Sequence, residues 1–429
     1  MFKVLSSVWA LLLGIVLIML GNGMHSTLIG VRGGIENFSS AELAIVTSAY
    51  FAGFLSGARL TPVMLRRVGH VRVFAALGSF MSAALIAFPL LTEPWAWTPL
   101  RILVGFCMSG IYVTAESWLN DAATNETRGK VLSAYMIAQT LGIIGAQGLL
   151  TLGDAGTSVL FIGASILVSV SFAPILLSVS SVPVTEAAKA MPLRELFVEA
   201  PLSTVGIFLL GSVYATQSGM GAVFGTKIDL TTAQIALFIG MLFAGALLFQ
   251  YPIGWLSDRM DRRKLIFGAA LMGGISCALG WMAGDQLWPL MAAAFFAGGM
   301  TTPLYALFLA YTNDFLTLEE MPAASGALVL TFGIGAISGP LVTGWAMQQF
   351  GPYAFWLVLV VTFGAIALYA LYRMTKREAI PTDETESYLG VLPTASPMAV
   401  ETAGVWAAEQ AEAEAEAEAE TEKEHPTQP

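Results

Sequence analysis

Charge is scarce in this chain. Only 12% of its 429 residues are charged against 56% hydrophobic, with a mean hydropathy of +0.72, a balance foreign to soluble domains. Cysteine is nearly absent: Cys107 and Cys277 both sit in apolar runs, which excludes a disulfide framework and a CxxC metal site. The sequence contains no phosphate-cradling GxxxxGK[ST] and no HExxH, and no Ser/His/Asp set falls outside the apolar runs. Nothing therefore points to catalysis, a cofactor or a metal, and any transport must run on a gradient. The net charge of −10 is equally uninformative about cargo, because residues 374–429 hold 13 acids and 3 bases and leave 17 of each in residues 1–373.

What the chain has in abundance is long apolar runs. Residues 4–30 form the first, behind a lone Lys3 and without the small-x-small site of a cleaved signal. Stretches of about 20 residues, enough to cross the hydrocarbon core, recur near 41–60, 72–92, 98–120, 129–152 and 157–178. A second set lies near 201–223, 232–256, 264–283, 287–312, 321–348 and 353–373. The expectation is an all-α membrane protein of twelve transmembrane helices: a bundle over 1–179, a polar, proline-containing linker over 180–200, a bundle over 201–375, and a disordered acidic tail over 376–429.

The two sets are copies. At an offset of 192, Phe243-Ala-Gly245 falls on Phe51-Ala-Gly53 and Arg259 on Arg67, and Lys264 falls on Arg72; at 193, Asn313-Asp314 falls on Asn120-Asp121. If both termini are cytoplasmic, that side receives nearly all the Lys and Arg of the short loops, and the outer side only Arg32 and Lys227. This is the bias that the positive-inside rule requires. It places the protein in a cytoplasmic membrane, multi-pass, with both ends inside.

Twelve spans in two halves, with a charged Gly-x-x-x-Asp-Arg loop (Gly254, Asp258, Arg259) between the second and third spans of the second half, resemble the Major Facilitator Superfamily. Arg101-Ile-Leu-Val-Gly105 is similar to its helix-4 motif, with Val104 where Gln is common. Val68-Gly-His-Val-Arg-Val-Phe74 and Ala115-Glu-Ser-Trp-Leu-Asn120 further resemble a YcaD-like subgroup. The resemblance implies two six-helix bundles of that superfamily's fold, pseudo-symmetric, rocking about a midplane site.

Candidate residues follow from the cost of placing charge in a bilayer, about 2.5–3.5 kcal/mol at a helix centre on insertion scales. On the fourth span, Met108, Tyr112 and Glu116 fall within about 60° of Arg101 on a helical wheel, so one stripe holds a base, a phenol and an acid. Glu116 is the expected proton carrier and Arg101 its substrate or proton partner. His25 aligns with Gln217 at the same offset of 192. In the superfamily, helices 1, 4, 7 and 10 face the cavity, so these two, with Gln139 and Tyr305, complete the expected site. The duplicated loops supply an expected gate on the cytoplasmic side: Asp121 pairing with Arg67 or Arg72, and Asp314 with Arg259 or Arg262. Gly254 lets helices approach, and an Asp beside the next helix meets its N-terminal partial charge. Arg66 stands where Asp258 would be expected in the first copy, and Asp261 where Gly69 would be expected in the second, so the second loop should be the stronger latch.

The sequence thus predicts a monomeric secondary transporter in the lipid bilayer, moving a small organic solute and protons, with no role for nucleic acid. A drug-type proton antiporter and a non-transporting sensor or scaffold that works through the tail are the rival readings. Helix 11 bears a Gly-Pro pattern, Gly335 to Gly344 with Pro340, that antiporters of the superfamily carry in helix 5; here helix 5 lacks proline. It reads equally as a packing seam.

Overall fold

In a bilayer every backbone N–H and C=O must be satisfied within the segment, so runs of this length become helices. The computed structural model describes residues 2–124, 127–177, 191–317, 320–377, 388, 390–397 and 399–400. It contains twelve helices long and apolar enough to cross a membrane. They are α1 (Val8–Ile35), α2 (Ser40–Val68), α3 (His70–Leu90), α4 (Pro94–Asn120), α5 (Arg128–Leu150) and α6 (Val159–Leu176), then α7 (Pro201–Lys227), α8 (Thr232–Ser257), α9 (Arg262–Met282), α10 (Leu287–Asn313), α11 (Ala323–Phe350) and α12 (Ala354–Met374).

Several helices run past their apolar cores. Arg32, expected in a loop, lies in the last turn of α1, where it pairs with Glu36 at 2.6 Å and donates to the carbonyls of Ala155 and Gly156. Lys227 likewise ends α7. Apolarity marks the hydrocarbon thickness, whereas the helix continues until its end carbonyls and charges find partners. Capping boxes open α2 at Ser39 with Glu42, and α8 at Thr231 with Gln234. These two boxes stand at the 192 offset, so the duplication extends to helix starts.

Packing repeats the duplication atom by atom. Lipid gives no hydrophobic drive between helices, so association depends on close van der Waals contact and favours small residues at the seam. Gly53 of α2 packs directly on the Ile102 carbonyl of α4, and Gly105 of α4 packs on that of Tyr50. In the second half, Gly245 meets the Phe295 carbonyl and Gly298 that of Leu242. None of these four sites has room for a methyl group. A second seam joins α1 to α5 through Gly142 on Met19 and Val16, and α7 to α11 through Gly335 on Phe208 and Gly339 on Ser212. The first part of the Gly-Pro stretch of α11, Gly335 to Gly339, is therefore a packing seam within one half, whereas Gly344 packs on the other half.

Between the halves, contact is one-sided. At the α1/α2 turn, called here the far side, Gly30 packs on Ala222, Gly34 on Thr226 and Gly344 on Ser40 and Ala44. There Lys227 Nζ donates to the Phe38 carbonyl at 3.0 Å, and Ser48 Oγ to the Ile337 carbonyl at 2.8 Å. At the opposite face, the basic side, lie the α2/α3 and α8/α9 loops. There the space between α5 and α8 opens into a cavity of about 480 Å³, lined from the bundles by Met136, Thr140, Tyr214, Gln250 and Asp258 among others.

Its remaining wall comes from the stretch expected to be a disordered tail, of which residues 378–387, 389, 398 and 401–429 lie outside the described residues. Tyr388, Gly390, Leu392, Pro393 and Thr394 line this cavity, and Val391, Ala395, Ser396, Ala399 and Val400 are buried. Of the linker, residues 180–190 lie outside the described residues, but Leu193–Glu199 forms a helix with Leu196 fully buried, and the Met191 N–H donates to the Ala323 carbonyl at 2.8 Å.

Gly53→Ala and Gly245→Ala should each lower thermal stability in detergent, by about 1–3 kcal/mol from overpacking against backbone. Gly268, with open space around it, is the internal control: its change to Ala should be neutral or stabilising, since glycine costs a helix about 1 kcal/mol. Equal melting shifts at Gly53 and Gly268 would refute the backbone-contact seam.

Candidate functional site

The polar stripe on α4 resolves into two groups. Toward the far side, Arg101 is buried, its NH1 is 3.4 Å from His25 Nδ1, and its guanidinium lies 4.7 Å from the centre of the Tyr50 ring. Arg101 Nε and His25 Nε2 have no hydrogen-bond partner among the described residues. No carboxylate pairs with this arginine among the described residues; an aromatic face supplies part of the missing stabilisation. The His25 ring is held edge-on by Phe88 at 4.6 Å and Phe161 at 5.9 Å, so it faces the interior of the first half. The match with Gln217 does not bring the two together.

Gln217 belongs to a site within the second half. The backbone of α7 widens into a single π-type turn over Thr216–Met220, a distortion that often accompanies function. Gln217 accepts a hydrogen bond from Thr301 Oγ1 at 2.9 Å, and its amide Nε2 is buried without a partner among the described residues. A small void adjoins it, lined by Tyr214, Thr301 and Thr302. Tyr305 is fully buried one turn further along α10, its hydroxyl unpartnered among the described residues and its ring 5.4 Å from Phe332.

Nearer the basic side lies Glu116, buried at 4% exposure. Oε1 accepts from Tyr135 OH at 2.9 Å and Oε2 from the backbone N–H of Ser396 at 2.9 Å. Tyr112, one turn away, donates to Met19 Sδ at 3.3 Å, and Gln139 is buried on α5. Tyr135 is the functional-site residue that sequence reasoning missed. A signal for it existed, because it precedes Gln139 by one helical turn and shares its face. Ser396 had no such signal, since its contact spans 280 positions of sequence.

The basic-side loops differ from each other as the sequence suggested. Arg262 NH1 forms an ion pair with Asp314 in which both side chains are 2% exposed, and it also donates to the Ala310 carbonyl at 3.1 Å, while Nε donates to Ser257 Oγ at 3.3 Å. Arg259, the alternative partner, instead stacks on Trp255 at 4.4 Å. The aspartate that caps α9 is Asp261, which accepts from the Arg263 N–H at 2.9 Å and holds the Arg263 guanidinium. Against burial, which would raise it, these bonds keep the Asp261 carboxyl below its ordinary range. Asp258 accepts from the Tyr388 N–H at 2.8 Å. In the first copy Gly69 turns the chain at φ +83, a left-handed conformation that favours glycine, while Arg67 and Arg72 are exposed without an ion pair among the described residues. The Asp121 side chain lies outside the described residues.

Two six-helix halves, in contact on one face and enclosing polar residues beside a cavity on the other, have the architecture of a membrane transporter. The profile of the Major Facilitator Superfamily matches residues 11–242 and 202–408, and the chain belongs to that family. It is similar to the uncharacterized MFS-type transporter YcaD of Escherichia fergusonii, 24% identical over 87% of this chain and 97% of the relative. An uncharacterized MFS-type transporter of Enterobacter sp. (strain 638) is also 24% identical, over 87% and 96%. Among solved structures, the nucleoside transporter NupG shares the fold with a TM-score of 0.70 at 15% identity, over 86% of this chain and 98% of that one. A D-xylose-proton symporter does so with 0.67 at 16%, over 88% and 99%. Family membership makes this chain a transporter rather than an enzyme.

Removing one partner of a buried ion pair strands the other, at a cost of about 3–5 kcal/mol. Asp314→Asn should show a loss of that order in unfolding titrations, while Arg259→Ala should change stability little. Near-identical stabilities would mean that solvent reaches the pair.

Proposed function

We propose that the protein is a secondary active transporter of a small organic solute, coupled to protons and working as a monomer in the cytoplasmic membrane, with the basic side inward. The observation that supports this best is Glu116. It is a carboxylate set deep in a helix of an apolar bundle, touched by a phenol and a peptide N–H and by no cation among the described residues. A carboxylate in such a place is costly as an anion, and protonation relieves the cost. Its charge state is thus tied to what else occupies the cavity, which is what coupling needs.

The polar groups suit an uncharged or weakly polar solute. Tyr112, Tyr305, Gln139 and Gln217 offer hydroxyl and amide groups, two of which, Tyr305 OH and Gln217 Nε2, lack partners among the described residues. A buried donor left unmade costs about 1–3 kcal/mol, which a solute making those bonds would recover. Arg101 and His25, bonded to each other away from the main cavity, act on this reading as a second charge centre that the helix α1 and α4 motions perturb. The neighbours whose names specify a nucleoside or a xylose-proton pair are consistent with an organic solute of this size.

The gate belongs to the basic side. Rocking of the halves would open the far-side contacts and bring α5 and α8 together, with Gly254, Asp258 and the Arg262–Asp314 pair as the second-half latch and Arg67, Gly69, Arg72 and Asp121 as the weaker first-half one.

In liposomes containing the protein and an internal pH dye, solute pools should drive a proton flux that falls to the empty-liposome background in Glu116→Gln, with folding preserved. Coupled flux that survives this change would remove Glu116 from the proton path. In the same assay Asp258→Asn should slow turnover without loss of solute binding; unchanged turnover would reduce the loop to an anchor.

A further inference from the structure

The tail segment that lines the cavity is built unlike the sequence around it. From Ser387 to Val400 there is no charged residue, while Glu386 precedes and Glu401 follows it. An uncharged stretch can enter a low-dielectric cavity without the penalty that its acidic flanks would meet. Burial follows the same division: Val391, Ala395, Ser396, Ala399 and Val400 are between 2% and 6% exposed.

The segment touches both halves. On the second half, the Tyr388 hydroxyl accepts from Gln250 Nε2 at 2.9 Å, and its N–H donates to Asp258 at 2.8 Å. Its ring lies on Gly254, where a methyl group would sit 2.6 Å from the ring and would meet no other residue first. Gly390 fits against Gln250 with as little room. On the first half, the Ser396 N–H donates to Glu116. Between these ends, Thr394 lines the cavity together with Tyr214.

We propose that the segment of residues 388, 390–397 and 399–400 is an internal ligand of the transport site: an autoinhibitory strap that covers Glu116, competes with the solute and holds the two halves apart on the basic side. The proposal rests on the assignment of Glu116 to the transport site. Closure on the basic side requires α5 and α8 to approach through the space this segment occupies, so the strap must leave before each cycle begins. The glycine of the superfamily loop then has a second use here, as the seat for Tyr388.

The test uses the full chain in nanodiscs and needs no solute. Amides of 390–400 should exchange with deuterium at least roughly tenfold more slowly than those of a synthetic peptide of the same sequence. Tyr388→Ala combined with Ser396→Pro, which removes the N–H that Glu116 accepts, should bring the segment to the free-peptide rate. A thiol reporter tests occlusion: Leu132, buried beside Thr394 and Ala399, is changed to Cys in both backgrounds and exposed to a bulky charged maleimide. Release of the strap should speed labelling roughly tenfold or more, in proportion to the open population. Free-peptide exchange in the unaltered chain would overturn the strap, as would slow exchange with labelling unmoved by the double change. Neither readout involves proton movement. A strap that passes while Glu116→Gln retains coupled flux would leave occlusion standing and sink only the proton assignment.

Discussion

The structure depends on backbone-to-backbone contact between α2 and α4 and between α8 and α10. Where Gly53 meets Ile102 and Gly245 meets Phe295, the helices approach as closely as two helices can. In lipid that proximity is the main attractive term, because burying a leucine against a helix gains little over leaving it in lipid. Each half therefore becomes a rigid body. Rigid halves can rock, and their contact can be confined to one face at a time.

Polar residues are distributed to suit such a machine. Within a half they are paired locally: Arg101 with His25 and Tyr50, Gln217 with Thr301, Arg262 with Asp314. Between the halves on the far side, the contacts are small residues and single hydrogen bonds to carbonyls, such as Lys227 to Phe38 and Ser48 to Ile337. Weak, separable contacts at the moving interface and strong ones inside each half are what a transition between two packed states requires. The tail adds a third component, bonded to both halves at the side where they stand apart.

Much of this was legible in the sequence, because it rests on local or periodic signals. Run length determined twelve helices through the need to satisfy backbone hydrogen bonds in lipid. The offset of 192 determined the two-half arrangement, and the structure adds paired capping boxes at Ser39 and Thr231 that stand at the same offset. Helical spacing placed Arg101, Tyr112 and Glu116 on one helix face. The unlike loops were visible in Gly69 opposite Asp261, one a left-handed turn and the other a helix cap.

Tertiary structure decided what periodicity cannot encode. Matched positions in two copies share a place in their own halves but need not face each other, so His25 turned inward to Phe88 while Gln217 turned to Thr301. The partner of Asp314 was chosen between Arg259 and Arg262 by the start of α9, which buries Arg262 and leaves Arg259 on Trp255. The partners of Glu116 came from Tyr135 on the next helix and from Ser396, 280 residues away. Composition and the spacing of apolar runs determined that the chain belongs in a membrane and in what units; which polar atoms meet was decided by packing, since a hydrogen bond depends on distance in space and the sequence records only distance along the chain.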